Sequence, residues 1–355
     1  MLQPLFAIVS IALLAAPAGQ ITPALGPQPG TKRTKLIERH ERFFLDELEV
    51  SIDGVDLGAR FAQLDFLLDN KLELAVTDTY RAVSKDRVST VARRFDELRL
   101  TTQQSLSARS LSVPLETEIR GSSPLQGRTV VFDRLANGSL DVHLEEGTQA
   151  SGSLEREEWA HGLQADLDFT AFLPPTPIEK GDRWKVDPAG LTSVFVPGGD
   201  LQFRPDPDSV TTSGGAVSLD AASLENILEA FEGTVDALFE SVVERSGERV
   251  ARFQLELRIE SGRDLSGRGD VFRPVFPDSV GFEPATLTAR YRFEGSGLLE
   301  WNLDLRVLER LEIKGEGTVS IAQTGLITTG GLEQELKQDL SLSGPQTLSV
   351  VCGRD

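Results

Sequence analysis

Apolar and polar residues alternate without a break over residues 251–260, where the sequence reads A-R-F-Q-L-E-L-R-I-E. A period of two residues is the pattern of a β-strand with one face buried and the other in water. The same alternation recurs over residues 72–82, 87–95, 111–119, 129–145, 234–243, 286–294, 298–308, 311–321 and 334–350. The pattern predicts an all-β fold, β-dominated with a few short helices, in which curved antiparallel sheets form two β-rich halves.

Turn residues predict where the strands end. Asn137-Gly138 separates two alternating runs and predicts a hairpin with a type I′ turn, because both positions of that turn need a positive φ. Pro114 predicts an edge or a bulge in its strand, because proline cannot donate a ladder hydrogen bond. Two glycine-rich stretches further on predict a turn at residues 294–297 and a bulge at residues 315–317.

Three stretches predict helices, at residues 36–45, 154–167 and 220–231. In the second and third, apolar residues recur three to four positions apart, which is the spacing of one helical face. Between them, Gly181-Asp182 predicts a tight turn that begins a short strand carrying Trp184. Prolines, glycines and aspartates predict an irregular connection over residues 196–215.

Composition divides the chain into five segments. Pro, Gly and Thr are frequent over residues 20–35 and predict a flexible leader. The full division is a signal peptide at 1–18, the leader at 19–35, an N-terminal antiparallel β domain at 36–150, a connection with a helix, a Pro-rich stretch and a loop at 151–218, and a C-terminal antiparallel β domain at 219–355.

The N-terminus predicts export through a signal peptide. Residues 5–16 form an apolar run that is too short to span a bilayer, and Ala16-Pro17-Ala18 supplies an A-x-A cleavage site. No cysteine follows to accept a lipid anchor, and no later stretch is long and apolar enough for a transmembrane segment in the mature chain. The predicted location is periplasmic or extracellular.

The formal charge of -19 makes nucleic acid a poor partner, because such binding depends on cations that neutralise phosphates. Cys352 is the single cysteine, so the exported chain has no internal disulfide and its stability must come from the core. We expect Cys352 to be a free thiol at a frayed or strand-paired terminus.

Catalytic and metal motifs are incomplete. The three histidines are His40, His143 and His161, and no serine lies in a G-x-S-x-G elbow. His40-Glu41 begins like H-E-x-x-H but lacks the second histidine, and Glu158 with His161 forms a single E-x-x-H where a di-iron site needs two. His143 is predicted on the polar side of a strand. We therefore assign no catalytic, cofactor-binding or metal-binding residue and predict that the protein is not an enzyme.

Several weaker motifs also favour structural interpretations. The acidic stretches at 206–209 and 264–270 lack the glycine placement of a calcium loop, and Arg268-Gly269-Asp270 has the composition of a turn. Few aromatic residues are present to line a sugar cleft. The three tryptophans are predicted to anchor the core, and they are Trp159, Trp184 and Trp301.

One part of the chain resembles known proteins. Trp159, Phe172-Leu173-Pro174 and the stretch from Ile178 to Trp184, which contains Gly181-Asp182-Arg183-Trp184, resemble a signature of secreted bacterial β-rich proteins of unknown function. The later run from Gly295 to Trp301 is also similar to those proteins. The resemblance implies export and a β-rich fold, and it implies nothing about activity.

Three functions remain open. The leading hypothesis is an exported non-catalytic protein whose curved sheet binds a lipid, another apolar ligand or an envelope component. The alternative is a structural or interaction module of a cell-envelope or extracellular assembly that contacts an envelope protein, and a hydrolase is less favoured. Strand alternation alone does not distinguish a filled core from a binding cavity, and it identifies neither the ligand, the individual binding residues nor the oligomeric state.

Overall fold

One antiparallel sheet dominates the structure. The computed structural model of the protein describes residues 20–61, 63–84, 87–108, 114–145, 160, 162–206, 211–212, 227–266 and 280–354. The predicted signal peptide therefore lies outside the described residues. Of the described residues, strands hold 70% and helices 5%, which confirms the predicted all-β class.

Within the described ranges, fifteen strands belong to this sheet, and they vary from two to 23 residues in length. They are β1 (Lys32–Ile52), β2 (Val55–Asp56), β3 (Leu64–Ser84), β4 (Arg87–Ala108), β5 (Leu115–Ser122), β6 (Thr129–Arg134), β7 (Leu140–Leu144), β8 (Arg183–Lys185), β9 (Arg204–Pro205), β10 (Thr211–Thr212), β11 (Glu232–Arg245), β12 (Glu248–Asp264), β13 (Val280–Asn302), β14 (Val307–Thr329) and β15 (Leu332–Arg354). Single helical turns occur at α1 (Gly58–Phe61) and α2 (Thr192–Phe195), and 3₁₀ turns at Thr170–Phe172 and Pro188–Leu191.

The strand order brings the two ends of the chain together. Along the main path the order is β10-β5-β4-β3-β1-β15-β14-β13-β12-β11-β8. β1 pairs with β15 in antiparallel register, with Lys35 opposite Cys352. The two β-rich parts of the sequence therefore contribute to one continuous sheet, which is curved and does not close on itself.

The first strand lies where the sequence predicted a leader and a helix, so the helix at 36–45 is wrong. Its buried face carries Arg33, Lys35, Ile37, Arg39, Glu41 and Phe43 in strict alternation. Four of these six side chains are charged, which hides the strand pattern from a search for alternating apolar residues. Residues 20–31 also contact the rest of the protein, because Ile21 pairs with Ile178 and Gly26 donates a backbone hydrogen bond to Arg306.

The predicted turn at 294–297 is wrong as well, because β13 runs through it without a break. Gly295 lies directly opposite Gly315, and the register is regular at both glycines, so the bulge predicted at 315–317 is also absent. The chain instead reverses after Asn302, whose side chain accepts hydrogen bonds from the backbone of Asp304 and Leu305.

The hairpin of β6 and β7 is confirmed, with Val130 opposite Leu144. Its turn is longer than the predicted type I′ turn. Gly138 has the positive φ of 88°, its N–H donates to the carbonyl of Leu135, and Leu135 pairs with Ser139. A single glycine in the left-handed region suffices for this connection.

The other two predicted helices fall largely in residues 146–159, 161 and 213–226, which lie outside the described residues. Where the first can be followed, Ala160 is helical, but residues 163–167 are not. Leu163 forms a β-bridge with Gly199, and Gln164 donates its backbone hydrogen bond to Gly198. The end of the second is wrong in part, because Ile227 is helical but residues 228–231 are not. Leu163 and Leu167 are nevertheless both buried, since their apolar spacing serves packing against the sheet.

Residues 162–206 cross the buried face of the sheet, and we call them the crossing segment. They hold little regular structure, yet they supply many of the most buried side chains, among them Leu167, Phe169, Phe172, Leu191, Phe195 and Leu201. Burying one such side chain contributes about 1.5–3 kcal/mol. The crossing segment and the apolar faces of the strands form one hydrophobic core.

Candidate functional site: the two faces of the sheet

The apolar face of the sheet is filled by the crossing segment. The ring of Phe195 lies 4.9 Å from that of Phe231, 5.1 Å from that of Phe293 and 5.7 Å from that of Tyr291, centroid to centroid. A cavity beside Phe195 measures only about 10 Å³, which is barely room for one water. The face that the sequence proposed for an apolar ligand is therefore packed as core where the crossing segment lies on it.

A buried cluster of charges lies beside this core, and we call it the ionic network: Lys35, Asp78, Tyr80, Arg93 and Asp168. The ammonium of Lys35 lies 2.8 Å from Asp78 and 2.9 Å from Asp168. Arg93 donates two hydrogen bonds to Asp78, of 2.7 and 2.9 Å, and the hydroxyl of Tyr80 donates to Asp168 at 2.8 Å. All five side chains are almost fully buried.

The ionic network fastens the crossing segment to the sheet. Lys35, Asp78 and Arg93 come from β1, β3 and β4, whereas Asp168 belongs to the crossing segment. Arg93 also donates to the carbonyls of residues 164 and 165, each at 2.9 Å. Two cations balance two carboxylates, so the network is neutral, which is the condition under which buried charges are tolerated.

The pKa values reflect this balance. Burial tends to raise the pKa of Asp78, but Arg93 and Lys35 outweigh it and lower that pKa to about 2. Burial raises the pKa of Asp168, against the opposing effect of Lys35. Burial also raises the pKa of Tyr80 well above its ordinary value, so its hydroxyl stays protonated and can donate. The arrangement suits a structural role, because each of the two carboxylates accepts hydrogen bonds from buried donors.

A second polar group lies further along β1. Arg39 donates a hydrogen bond to the carbonyl of Phe195, and its Nε lies 3.4 Å from Glu41 Oε1. Burial raises the pKa of Glu41, with Arg39 opposing. His40 lies on the other face, where its Nε2 is 2.7 Å from Asp69 Oδ1. Because neighbours in a strand face opposite ways, the apparent His40-Glu41 motif cannot converge on one ion.

The polar face carries an open groove of about 660 Å³ that crosses β11 to β15. The groove runs across the strands along one row of paired residues. In this row Asp236 lies opposite Glu256, Glu256 opposite Ser296, Ser296 opposite Lys314, and Lys314 opposite Thr347. Arg258 and Glu294 form a neighbouring pair at 3.0 Å. We call this set of residues the groove.

The groove is nearly neutral although the protein is strongly acidic. Three acidic side chains (Asp236, Glu256, Glu294) and two basic ones (Arg258, Lys314) line it, which gives a net charge of -1 against -19 for the chain. A partner can therefore approach here without the repulsion that an acidic surface exerts on an anionic molecule.

Glycines shape the sheet under the groove. A Cβ atom at Gly295 would lie 2.5 Å from the carbonyl oxygen of Lys314 and 2.6 Å from the ring of Phe293. Phe293 therefore packs over the bare backbone on the buried side. Glycines at such positions let strands bend and approach closely, and on the polar side the same backbone forms the floor of the groove.

The predicted structural residues occupy the places expected for them. Gly181 has a φ of +94° in the turn that begins β8, and the indole of Trp184 donates to the carbonyl of Phe172 at 3.1 Å. Trp301 is fully buried. Cys352 is a buried free thiol in β15, and burial raises its pKa to about 12, so it stays protonated.

Other predicted motifs lie wholly or partly outside the described residues. These are Trp159, Glu158, His161, Arg268-Gly269-Asp270 and the last three residues of the acidic stretch at 206–209. The ionic network and the groove were missed by sequence reasoning. Charged residues at four of the six alternating positions from 33 to 43 of β1 are the signal that could have indicated the former.

Comparison with protein-family models and with curated proteins found no match. Among solved structures, the chain is similar to the transport unit of the autotransporter AIDA-I from Escherichia coli, with 6% identity, 89% of this chain and 90% of that chain covered, and a TM-score of 0.26. A similarity at that level supports no argument about fold or function.

No helix in the described part of the chain has the length and apolar character needed to cross a membrane.

Proposed function

We propose that this protein is an exported, non-catalytic interaction module of a cell-envelope or extracellular assembly, and that its partner contacts the polar face of the sheet at the groove. The observation that carries the proposal is the contrast between the two faces. The apolar face is covered by the chain's own crossing segment and locked by the ionic network, whereas the groove is open and nearly neutral.

The lining of the groove favours a protein partner. Its side chains offer both hydrogen-bond donors and acceptors across five strands, including Ser296, Thr347 and the ammonium of Lys314. Lys314 forms no ion pair with the described residues, so its charge is available to an acceptor group. Aromatic side chains, which sugar-binding clefts use for stacking, are absent from the described lining of the groove.

Site-specific crosslinking in the native host tests this proposal. A photoreactive amino acid replaces Ser296 of β13 in the groove. In a matched control it replaces Thr328, an exposed residue of the neighbouring strand β14 on the same polar face of the sheet. The two positions lie roughly 45 Å apart along the strand direction at about 3.3 Å per residue. We expect a discrete protein adduct from position 296 and none from position 328.

The alternative of an apolar ligand predicts a different result. Such a ligand would have to displace the crossing segment in order to occupy the apolar face. Because it would be bound in the native protein, it should co-purify and be recovered by organic extraction. A lipid recovered in stoichiometric amount, together with no adduct from position 296, would contradict an interaction module and favour a lipid-binding protein.

A further inference from the structure

Three side chains with metal-binding atoms converge on the β6–β7 hairpin, away from the groove. They are Asp133, Asp141 and His143, and one ligand atom from each lies within 4.8 Å of the others. Asp133 and Asp141 are directly opposite in the ladder, and His143 follows on the same face of β7. The sequence alone predicts His143 on the polar side of a strand, and the register of the hairpin decides which side chains lie beside it.

From this juxtaposition, we propose that Asp133, Asp141 and His143 form a binding site for a divalent transition-metal ion, with Zn²⁺ as the representative cation. The donor set contains two carboxylates and one imidazole. Imidazole nitrogen suits zinc and its neighbours in the first transition row, whereas calcium and magnesium prefer oxygen ligands alone.

The distances fit one ion after a small adjustment. Ligand atoms bound at about 2.1 Å lie at most about 4.2 Å apart across the ion. Nδ1 of His143 already lies 3.5 Å from Oδ2 of Asp141. Both of these side chains are about half exposed, so they can rotate into place, and water can complete the coordination.

Charge also favours a cation between these strands. Like charges directly opposite in an antiparallel ladder destabilise the pair. Within the described residues, neither Asp133 nor Asp141 forms an ion pair with a lysine or an arginine. The two negative charges of the carboxylates match the charge of one divalent ion.

A neighbouring strand orients one of the ligands. Thr90 lies opposite Asp133 in β4, and its hydroxyl donates to Asp133 Oδ1 at 2.6 Å. This bond leaves the other carboxylate oxygen for the ion. Partners of this kind fix the orientation of a ligand, and losing one typically weakens metal binding about 10–100-fold.

Calorimetric titration of the full chain with Zn²⁺ tests the site. We expect one high-affinity site in the wild-type protein. D141N and H143Q should each weaken it by about 100-fold or more, and T90V by about tenfold. Circular dichroism with a chelator present checks that each variant is folded.

H40Q is the matched control. His40 is also an exposed histidine beside an aspartate, Asp69, but Arg42 forms an ion pair with the same carboxylate at 3.1 Å. H40Q should bind Zn²⁺ as the wild type does, and Co²⁺ should give a visible spectrum that H143Q abolishes. The proposal is overturned if wild-type protein shows no saturable site, or if H143Q binds as tightly as H40Q.

Discussion

The N-terminal and C-terminal strands of the sheet bury their inner faces by different chemistry. In β12 the buried side chains are all apolar or small, from Ala251 through Ile259. In β1 they include Arg33, Lys35, Arg39 and Glu41. Both strands alternate with the same period of two, and both pack against elements that cover the buried face.

The comparison teaches that strand geometry decides which side chains point inward, while their partners decide whether they can stay there. Around Phe195 the crossing segment is held by packing of aromatic rings. At Asp168 it is held by charge-assisted hydrogen bonds. Packing is non-directional, but the ionic network works only if each group finds its particular partner.

That difference bears on the register of β1. Leu36 and Phe44 are exposed on one face of this strand while Ile37 and Phe43 are buried on the other. Shifting a strand by one residue exchanges its two faces, and apolar content alone discriminates weakly between them here. We infer that the buried charges help to specify the observed register, which accords with the use of buried polar groups for specificity in some proteins.

The largest expected effect comes from breaking the ionic network. D78N keeps the shape of the side chain but leaves Lys35 and Arg93 with one carboxylate between them. Removing one partner from a buried ion pair typically costs about 3–5 kcal/mol, and the free energy of unfolding in urea measures it. E294Q is the control, because its partner Arg258 is exposed, and it should leave the stability almost unchanged.

Truncation on the apolar side should come next. Leu257 is fully buried in β12, and L257A should lower the free energy of unfolding by about 2–4 kcal/mol through lost transfer energy and a new cavity. The same urea titration measures it. Equal or greater stability of L257A would show that this face is less tightly packed than the structure indicates.

A smaller effect is expected from adding a methyl group where Gly295 lies opposite Gly315. In G295A the new methyl group would clash with the carbonyl of Lys314 and the ring of Phe293, and overpacking of this kind costs about 1–3 kcal/mol. G262A in β12 is the control, because its nearest atom would lie 3.7 Å away. Similar thermal midpoints for both variants would argue against glycine as the cause of the close approach.

The smallest effect should be a pH dependence at Glu41. Folding raises the pKa of Glu41 above 4.5, so the folded state holds this proton more tightly. Its contribution to stability is therefore fully present below pH 4.5 and falls as the pH rises through the folded pKa.

E41Q removes that loss, so its stability relative to wild type should increase as the pH rises above 4.5. The contributions of Asp78 and Asp168 are shared by both proteins and cancel in the difference. Urea unfolding at a series of pH values gives the result, and a difference that does not change with pH would contradict the burial of an ionisable Glu41.

Much of the fold could be predicted from residues whose pattern is local. The alternation at 251–260 predicts a strand, Gly181-Asp182 predicts the turn before β8, and Asn137-Gly138 predicts a hairpin. The predictions from sequence are wrong where a residue's conformation depends on a partner far away in the chain. The glycines at 295 and 315 look like a turn and a bulge until they lie opposite each other in one ladder.

The sequence by itself determined that this is a chain of antiparallel strands with one buried and one solvated face, because the period of two is imposed by backbone geometry. Only the tertiary structure decided what covers the buried face. Lys35, Asp78, Arg93 and Asp168 are separated by up to 133 positions in sequence, counting from 35 to 168. Their charges could be buried only once the fold had brought them within hydrogen-bond distance, because an unpaired charge is too costly to remove from water.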